Sequence, residues 1–427
     1  MYILWISMIL MLLLGFPFVV VIIFSLLLYI WTNFDSFQFE VIIQQLINGF
    51  TAPSLICVPM FILSANIINA GYSASRVIKL VKNFVGHLPG GLPITTTASC
   101  TLFGSVSGST QATVAAVGGV MRPMLLKAGY SSSFSLALII NSSDIALLIP
   151  PSIASIVYGV ATNTSINKLF LAGIGPGLLI FLLFSIYNFL DSKIKGVGRL
   201  PKASWHERFN SLKEAILILF FPIIIIGGIF IGIFSPTEAS AAAVGYALLL
   251  EGLIYRTLTW KKLLKVFLET GVITAVVFIL VGAGQALTWM LSYMQIPQHI
   301  MPKILGVNPS EMTIIITIVL SYFIACMFVD PIVAIYILSP IFNPYIINAG
   351  IDPVFIGILV VLQAAIGSAS PPFGCDIFTA QLIFRRPYLE VIRKTYPFMI
   401  LLIIATILLI CFPEIATFLP KIATKSL

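Results

Sequence analysis

NSSDIALLIPPS at residues 141–152 and GSASPPFG at residues 367–374 are short, polar, proline-broken islands inside runs that are otherwise apolar. Proline withdraws a backbone donor and clashes with the turn before it, and glycine tolerates unwinding, so a helix carrying either island should break there. Broken backbone in lipid leaves N–H and C=O groups unsatisfied, and it survives at membrane depth only where protein encloses it around a cavity. The two islands decide the reading of the chain once the chain is placed in a membrane.

Composition places it there. The 427 residues are 59% apolar and only 9% charged, against the roughly 25% charged residues of soluble domains. Stretches of about 20 apolar residues, the length of one hydrocarbon crossing, recur at Tyr2 to Trp31, Thr51 to Ile68, Tyr130 to Asn167, Leu169 to Leu190 and Ile216 to Phe234. About eleven such segments are expected in all. The start, MYILWISMILMLLLGFPF, lacks the basic region and small-residue cleavage site of a secretory signal and should stay in the membrane, bent near Pro17. Cys57, Cys100, Cys326, Cys375 and Cys411 lie in apolar stretches without CxxC or Cys/His spacing and read as buried thiols.

The net charge of +8 is not spread as a nucleic-acid footprint. Of the 23 basic residues, 19 fall in five short clusters: Arg76 to Lys82, Arg122 with Lys127, Lys193 to Lys213 including Arg199, Arg256 to Lys265, and Arg385 to Lys394. Basic loops of this kind mark the cytoplasmic side. With all five inside, Leu88 to Met121 must leave the cytoplasm and return within about 34 residues, too few for two crossings and a turn, so a re-entrant hairpin is expected at 88–121. A second hairpin, at 313–342, is flanked by loops poor in basic residues and should open from the outer side.

A shift of 221 residues lays Pro123 on Pro344, Ala128-Gly129 on Ala349-Gly350, and Pro150-Pro151 on Pro371-Pro372. The same shift lays Arg122 and Lys127 on Asn343 and Asn348, so a cytoplasmic loop in one copy is an external loop in the other. That pattern predicts inverted-topology repeats, residues 1–190 and 215–427, joined by a basic cytoplasmic linker at 191–214. The fold class is therefore an all-α polytopic membrane protein with two inverted halves.

Each half carries two interruptions: Gly104 to Thr110 (GSVSGST) and the first island, then Phe328-Val329-Asp330-Pro331 and the second island. Freed carbonyls with serine and threonine hydroxyls suit a small hard cation, and exposed helix N-termini suit an anion. Small-residue runs also serve close helix packing, but four in paired positions favour a site, and cation-coupled uptake of a small organic anion follows. Asp144, Asp330 and Asp376 sit in apolar surroundings, where an ionised carboxylate must be hydrated, paired or coordinating. Asp330 before Pro331 also fits a helix cap. Glu238 in Ser235-Pro236-Thr237-Glu238 reads as a helix start, Gln285 and Trp289 as packing, and His87, His206 and His299 as isolated residues with no metal role.

In order along nearly the whole chain, Pro59 to Leu63 (PMFIL), Gly86 to Leu92 (GHLPGGL), Ser107-Gly108-Ser109, Lys127 to Tyr130 (KAGY), Ile149 to Ser152 (IPPS), Ser235 to Ala239 (SPTEA), Phe328-Val329-Asp330 and Pro371 to Gly374 (PPFG) resemble the large membrane subunit of tripartite ATP-independent periplasmic (TRAP) transporters, the DctM/SiaM-like family. The resemblance implies a bacterial inner-membrane carrier and not an enzyme. It also implies an elevator mechanism driven by Na+, with no organic cofactor. A small four-helix membrane subunit, expected as a separate chain, and a periplasmic substrate-binding protein would be its partners. Solutes across the family are carboxylates such as C4-dicarboxylates and sialic acid.

Carried over, the sodium sites fall on Ser107, Ser109 and backbone near Pro150 for one ion, and on Phe328, Gly367 and Ser370 for the other. The solute would meet Gly108, Thr110, Pro151, Asp144, Asp330, Pro372 and Asp376. The chain departs from the family pattern at Asp144, where a small uncharged residue is commoner, and at Asp376, where Asn is usual. A stand-alone anion/cation symporter of related fold remains a rival, as does an intramembrane enzyme or scaffold, although the spans hold no His/Glu or Cys/His constellation.

Overall fold

The computed structural model describes residues 2–34, 39–197, 200–306 and 309–425, and these form helices with no strand among them. Arg199, counted in the third basic cluster, lies outside the described residues. Among the described residues seven helices are long and apolar enough to cross a membrane, or nine if each of two bent pairs is one span. That is fewer than the eleven expected; the described residues also hold shorter apolar helices of 10–17 residues, among them Phe18–Asn33, Pro353–Ser368 and Cys375–Phe384. The N-terminal run divides into Tyr2–Leu13 and Phe18–Asn33, with Gly15 at φ 79° in the turn and Pro17 at the start of the second piece.

Capping fixes the helix starts. Ser204 and Ser235 each form a capping box, with Glu207 and Glu238 respectively, so Glu238 does what Ser-Pro-Thr-Glu announces. The linker expected at 191–214 is helical at both ends, because Ile166–Lys195 runs past Asp191 and Trp205–Phe230 begins before Glu214.

Element boundaries repeat at the 221-residue shift. Thr110–Lys127 falls on Pro331–Asn348, the start of Ser132–Ser143 falls on the start of Pro353–Ser368, and the cis bond Pro150-Pro151 falls on the cis bond Pro371-Pro372. Two helix–turn–helix units bracket the breaks: Gly91–Ser107 with Thr110–Lys127, and Glu311–Phe328 with Pro331–Asn348. The second arm of each unit packs on the broken helix of the other half, Thr110–Lys127 on Cys375–Phe384 and Pro331–Asn348 on Ile153–Thr162.

This exchange binds both hairpins and both broken helices into one block. Leu136 to Leu148 and Ile356 to Ile366, the approaches to the islands, are buried almost throughout. A second apolar cluster joins the N-terminal helices to the long helix Trp260–Tyr293, which also packs on Phe39–Phe50 and Cys57–Ala70. Outward-facing Leu, Ile and Phe side chains on these outer helices supply the lipid-facing surface.

Candidate functional site

The first hairpin turns at Gly108, whose φ of 60° is left-handed, and Ser109 then caps Thr110–Lys127 by accepting from Ala112 N. Across from it, Ile149 to Ser152 is non-helical and Ser152 caps Ile153–Thr162, accepting from Ser155 N at 3.1 Å. The second hairpin turns at Val329, and Asp330 caps Pro331–Asn348 by accepting from Ile332 N at 2.9 Å. Cys375–Phe384 starts just after Gly374.

These four helix starts surround one cavity of about 50 Å³, lined by Gly108, Ser109, Thr110, Gln111, Leu147, Ile153, Ala154, Asp330, Pro331, Ile332 and Cys375. Each helix start carries roughly half a positive charge from unsatisfied N–H groups, and Asp330 sets one carboxylate among them. The arrangement therefore offers a pole for an anionic group and a pole for a cationic one. Its volume suits a water or an ion.

Of the residues singled out in the sequence, Gly108, Ser109, Thr110 and Asp330 meet at this cavity. Asp376 lies behind it, wholly buried, its two oxygens accepting from Thr110 Oγ1 and Ser368 Oγ at 2.7 Å each. Asp144 is also wholly buried, and neither oxygen has a hydrogen-bond partner among the described residues. Pro150, Pro151 and Pro372 shape the breaks and do not line the cavity, and Phe328 stands exposed against Phe373 with ring centroids 5.7 Å apart. Gly367 lies where a Cβ would meet Cys326 of the second hairpin, and Ser370 is buried, its hydroxyl bonded back to Ile366.

Oxygens do gather at the first hairpin tip. Ser107 Oγ lies 3.0 Å from Thr113 Oγ1 and 3.3 Å from the Ser109 carbonyl, and the Pro151 carbonyl faces Gly108. This donor set fits a hard monovalent cation. Gln111, Leu147, Ile153, Ala154, Ile332 and Cys375 were missed as site residues in the sequence; Gln111 adjoins the GSVSGST run, whereas the apolar ones carry no polar signal. Also missed is Glu251, wholly buried in a wide turn at Leu249–Ile254 and accepting from Ser73 and Thr257.

The family model described as "Tripartite ATP-independent periplasmic transporter, DctM component" matches residues 5–415. This chain belongs to that family. Its relatives include the ectoine TRAP transporter large permease protein TeaC of Halomonas elongata, 55% identical over 98% of each chain. The ectoine/5-hydroxyectoine large permease UehC of Ruegeria pomeroyi is 51% identical, again over 98% of each. Among solved structures the Alcanivorax borkumensis YdaH transporter matches with TM-score 0.62 at 14% identity, covering 90% of this chain and 91% of that one, a likeness of fold alone. The protein is thus a large permease, a multi-pass protein of the bacterial inner membrane and not an enzyme. Permeases of this family work with a small membrane subunit and a periplasmic binding protein.

Proposed function

We propose that this permease imports ectoine or a closely similar cyclic zwitterion, driven by Na+, by moving the hairpins and broken helices as one block against the remaining helices. The observation that carries the reading is the convergence of four helix starts and the Asp330 carboxylate on one cavity. Ectoine joins a carboxylate to an amidinium on one ring: the helix starts suit the first, and Asp330 suits the second. The similarity to TeaC and UehC supports the same solute, so ectoine replaces the dicarboxylate or sialic acid that the family resemblance had implied.

A solute of that size does not fit a space of about 50 Å³. The tips at Gly108 and Asp330 must therefore part to admit it and close again behind it. Ser107, Ser109 and backbone near Pro150 would hold one sodium ion, and Phe328 with Gly367 and Ser370 a second. Bound there, Na+ supplies positive charge that ties each tip to the neighbouring break. Such coupling works only insofar as the ion favours the solute-competent state over the other.

The reciprocal packing of each hairpin on the other half's broken helix supports motion as a unit. A further cavity of about 750 Å³ lies between Thr110–Lys127 and the helices Cys57–Ala70 and Trp260–Tyr293, with Lys262, Lys265 and Glu269 among its lining residues. Its basic edge supports a cytoplasmic opening beside the block.

Proteoliposomes holding the permease and its small subunit test the reading. Labelled ectoine should accumulate only with an inward sodium gradient and added binding protein, and unlabelled ectoine should compete where succinate and sialic acid do not. Uptake without the binding protein would favour a stand-alone symporter, and competition by succinate alone would remove ectoine as the solute.

A further inference from the structure

Asp144 lies off the solute cavity, and the reading above gives it no role. It stands at the junction of Ser132–Ser143 and the single turn Ile145–Leu148, wholly buried, with no partner for either oxygen. The side-chain oxygen of Asn141, one turn earlier on the same face, is likewise buried and unpartnered. Inside a membrane protein an ionised carboxylate is tolerated when paired, hydrogen-bonded or holding a cation. Among the described residues nothing pairs with Asp144.

The titratable groups that face it are Cys100 on Gly91–Ser107 and Asp376 on Cys375–Phe384, both within reach of its charge. The other helices packed on this break keep their charges elsewhere. Arg122 bonds Ser132 at the far end of that helix, about 18 Å along it from Asp144, and Arg386 and Glu390 act on Arg122. Asp191 and Lys195 pair beside Ser192, which bonds Tyr130 at that same end. Tyr158 spends its hydroxyl on the Pro353 carbonyl, and Pro353–Ser368 carries no charged residue.

We propose that Asp144 binds a proton that the transport cycle loads from the outer water and releases to the cytoplasm, linking uptake to the proton gradient. Loading forms one O–H bond on the carboxylate, and release breaks it. A proton fits this position better than a multivalent metal ion: among the described residues no three His, Cys, Asp or Glu side chains gather into a set that could hold one. The link to movement runs through Asp376, which holds Thr110 of the first hairpin and Ser368 of the second broken helix. With Asp144 neutral, Asp376 meets no like charge from it. Loss of the proton adds a like charge beside it and works against the packed state in which Gly104 lies on Ala146.

The proposal rests on the chain being a transporter, though not on which solute it carries. Proteoliposomes of the complete complex, with a pH dye inside and the same inward sodium gradient in every arm, provide the test. Adding ectoine-loaded binding protein should acidify the lumen, and uptake should rise by up to about tenfold per unit of external acidification until the site saturates, as one-proton binding requires. Asp144→Asn should lose both effects. Asp144→Glu, the second variant if the first folds poorly, should keep the acidification with a displaced pH midpoint. Accumulation of ectoine without acidification, or acidification undiminished in Asp144→Asn, overturns the proposal. Failure of ectoine to enter would count against the solute alone, because the infrared C=O band of a protonated carboxylic acid, present in the purified wild-type chain and lost in Asp144→Asn, is read without solute. Its absence from the wild type overturns the proposal as well.

Discussion

Asp330 combines two roles that substitution can separate. Its oxygen accepts from Ile332 N at 2.9 Å, which caps Pro331–Asn348, and its charge faces the solute cavity. Asn caps a helix about as well as Asp, whereas Ala gives up roughly 1 kcal/mol. Asp330→Asn should therefore keep the melting temperature of the purified chain, and Asp330→Ala should lower it by a few degrees. Ectoine uptake should fall at least about tenfold in both, the size of a lost charge-assisted hydrogen bond. Wild-type uptake by Asp330→Asn would show that the cap matters and the charge does not. The cap was legible because Asp-Pro is a local signal. The partners of Asp376 were not, since Thr110 lies 266 residues away and only the folded chain brings them together. Glu251 was hidden for the same reason, its partner Ser73 being 178 residues distant.

Hairpin tips and helix breaks were legible as elements because glycine and proline act on the backbone where they stand. Gly108 is left-handed at φ 60°, and a Cβ there would meet the Pro151 carbonyl. Gly108→Ala pays about 1–2 kcal/mol for the left-handed backbone, and the clash is with backbone that has no rotamer to yield. The tip should stand off from the break, abolishing sodium-dependent ectoine uptake while leaving insertion and co-purification of the small subunit intact. Gly119→Ala is the control on the helix that follows the tip: nothing lies within 4 Å of its Cβ, and alanine in a helix interior should raise stability by roughly 0.5–1 kcal/mol. Equal loss of uptake in both would mean that the helix, and not the tip contact, is sensitive. The number of crossings was less legible, because apolar length cannot tell a full span from a helix of 10–17 residues that another helix completes.

For the molecule as a whole, the 221-residue shift was readable in a few Pro and Gly positions, yet the exchange of arms between the halves was not, because packing partners leave no trace in periodicity. That exchange defines which helices would travel together, and it makes the motion testable where the block meets the long helix Trp260–Tyr293. Gly284 of that helix faces Tyr336 of Pro331–Asn348, and a Cβ built on it lies 3.4 Å from the Tyr336 Cβ, close to the roughly 3.5–4.5 Å that a disulfide spans. Replacing the tyrosine also removes the ring atoms that would crowd a side chain at residue 284. The double variant Gly284→Cys/Tyr336→Cys should therefore oxidise readily and fix the block to the outer helices. Ectoine uptake should drop to background on oxidation and return on reduction, while Tyr336→Cys alone responds to neither. Full uptake by the cross-linked protein, with the cross-link verified by mass spectrometry, would mean that solute crosses without relative movement at this contact. The hairpin tips would then have to open and close in place, and elevator movement would be excluded.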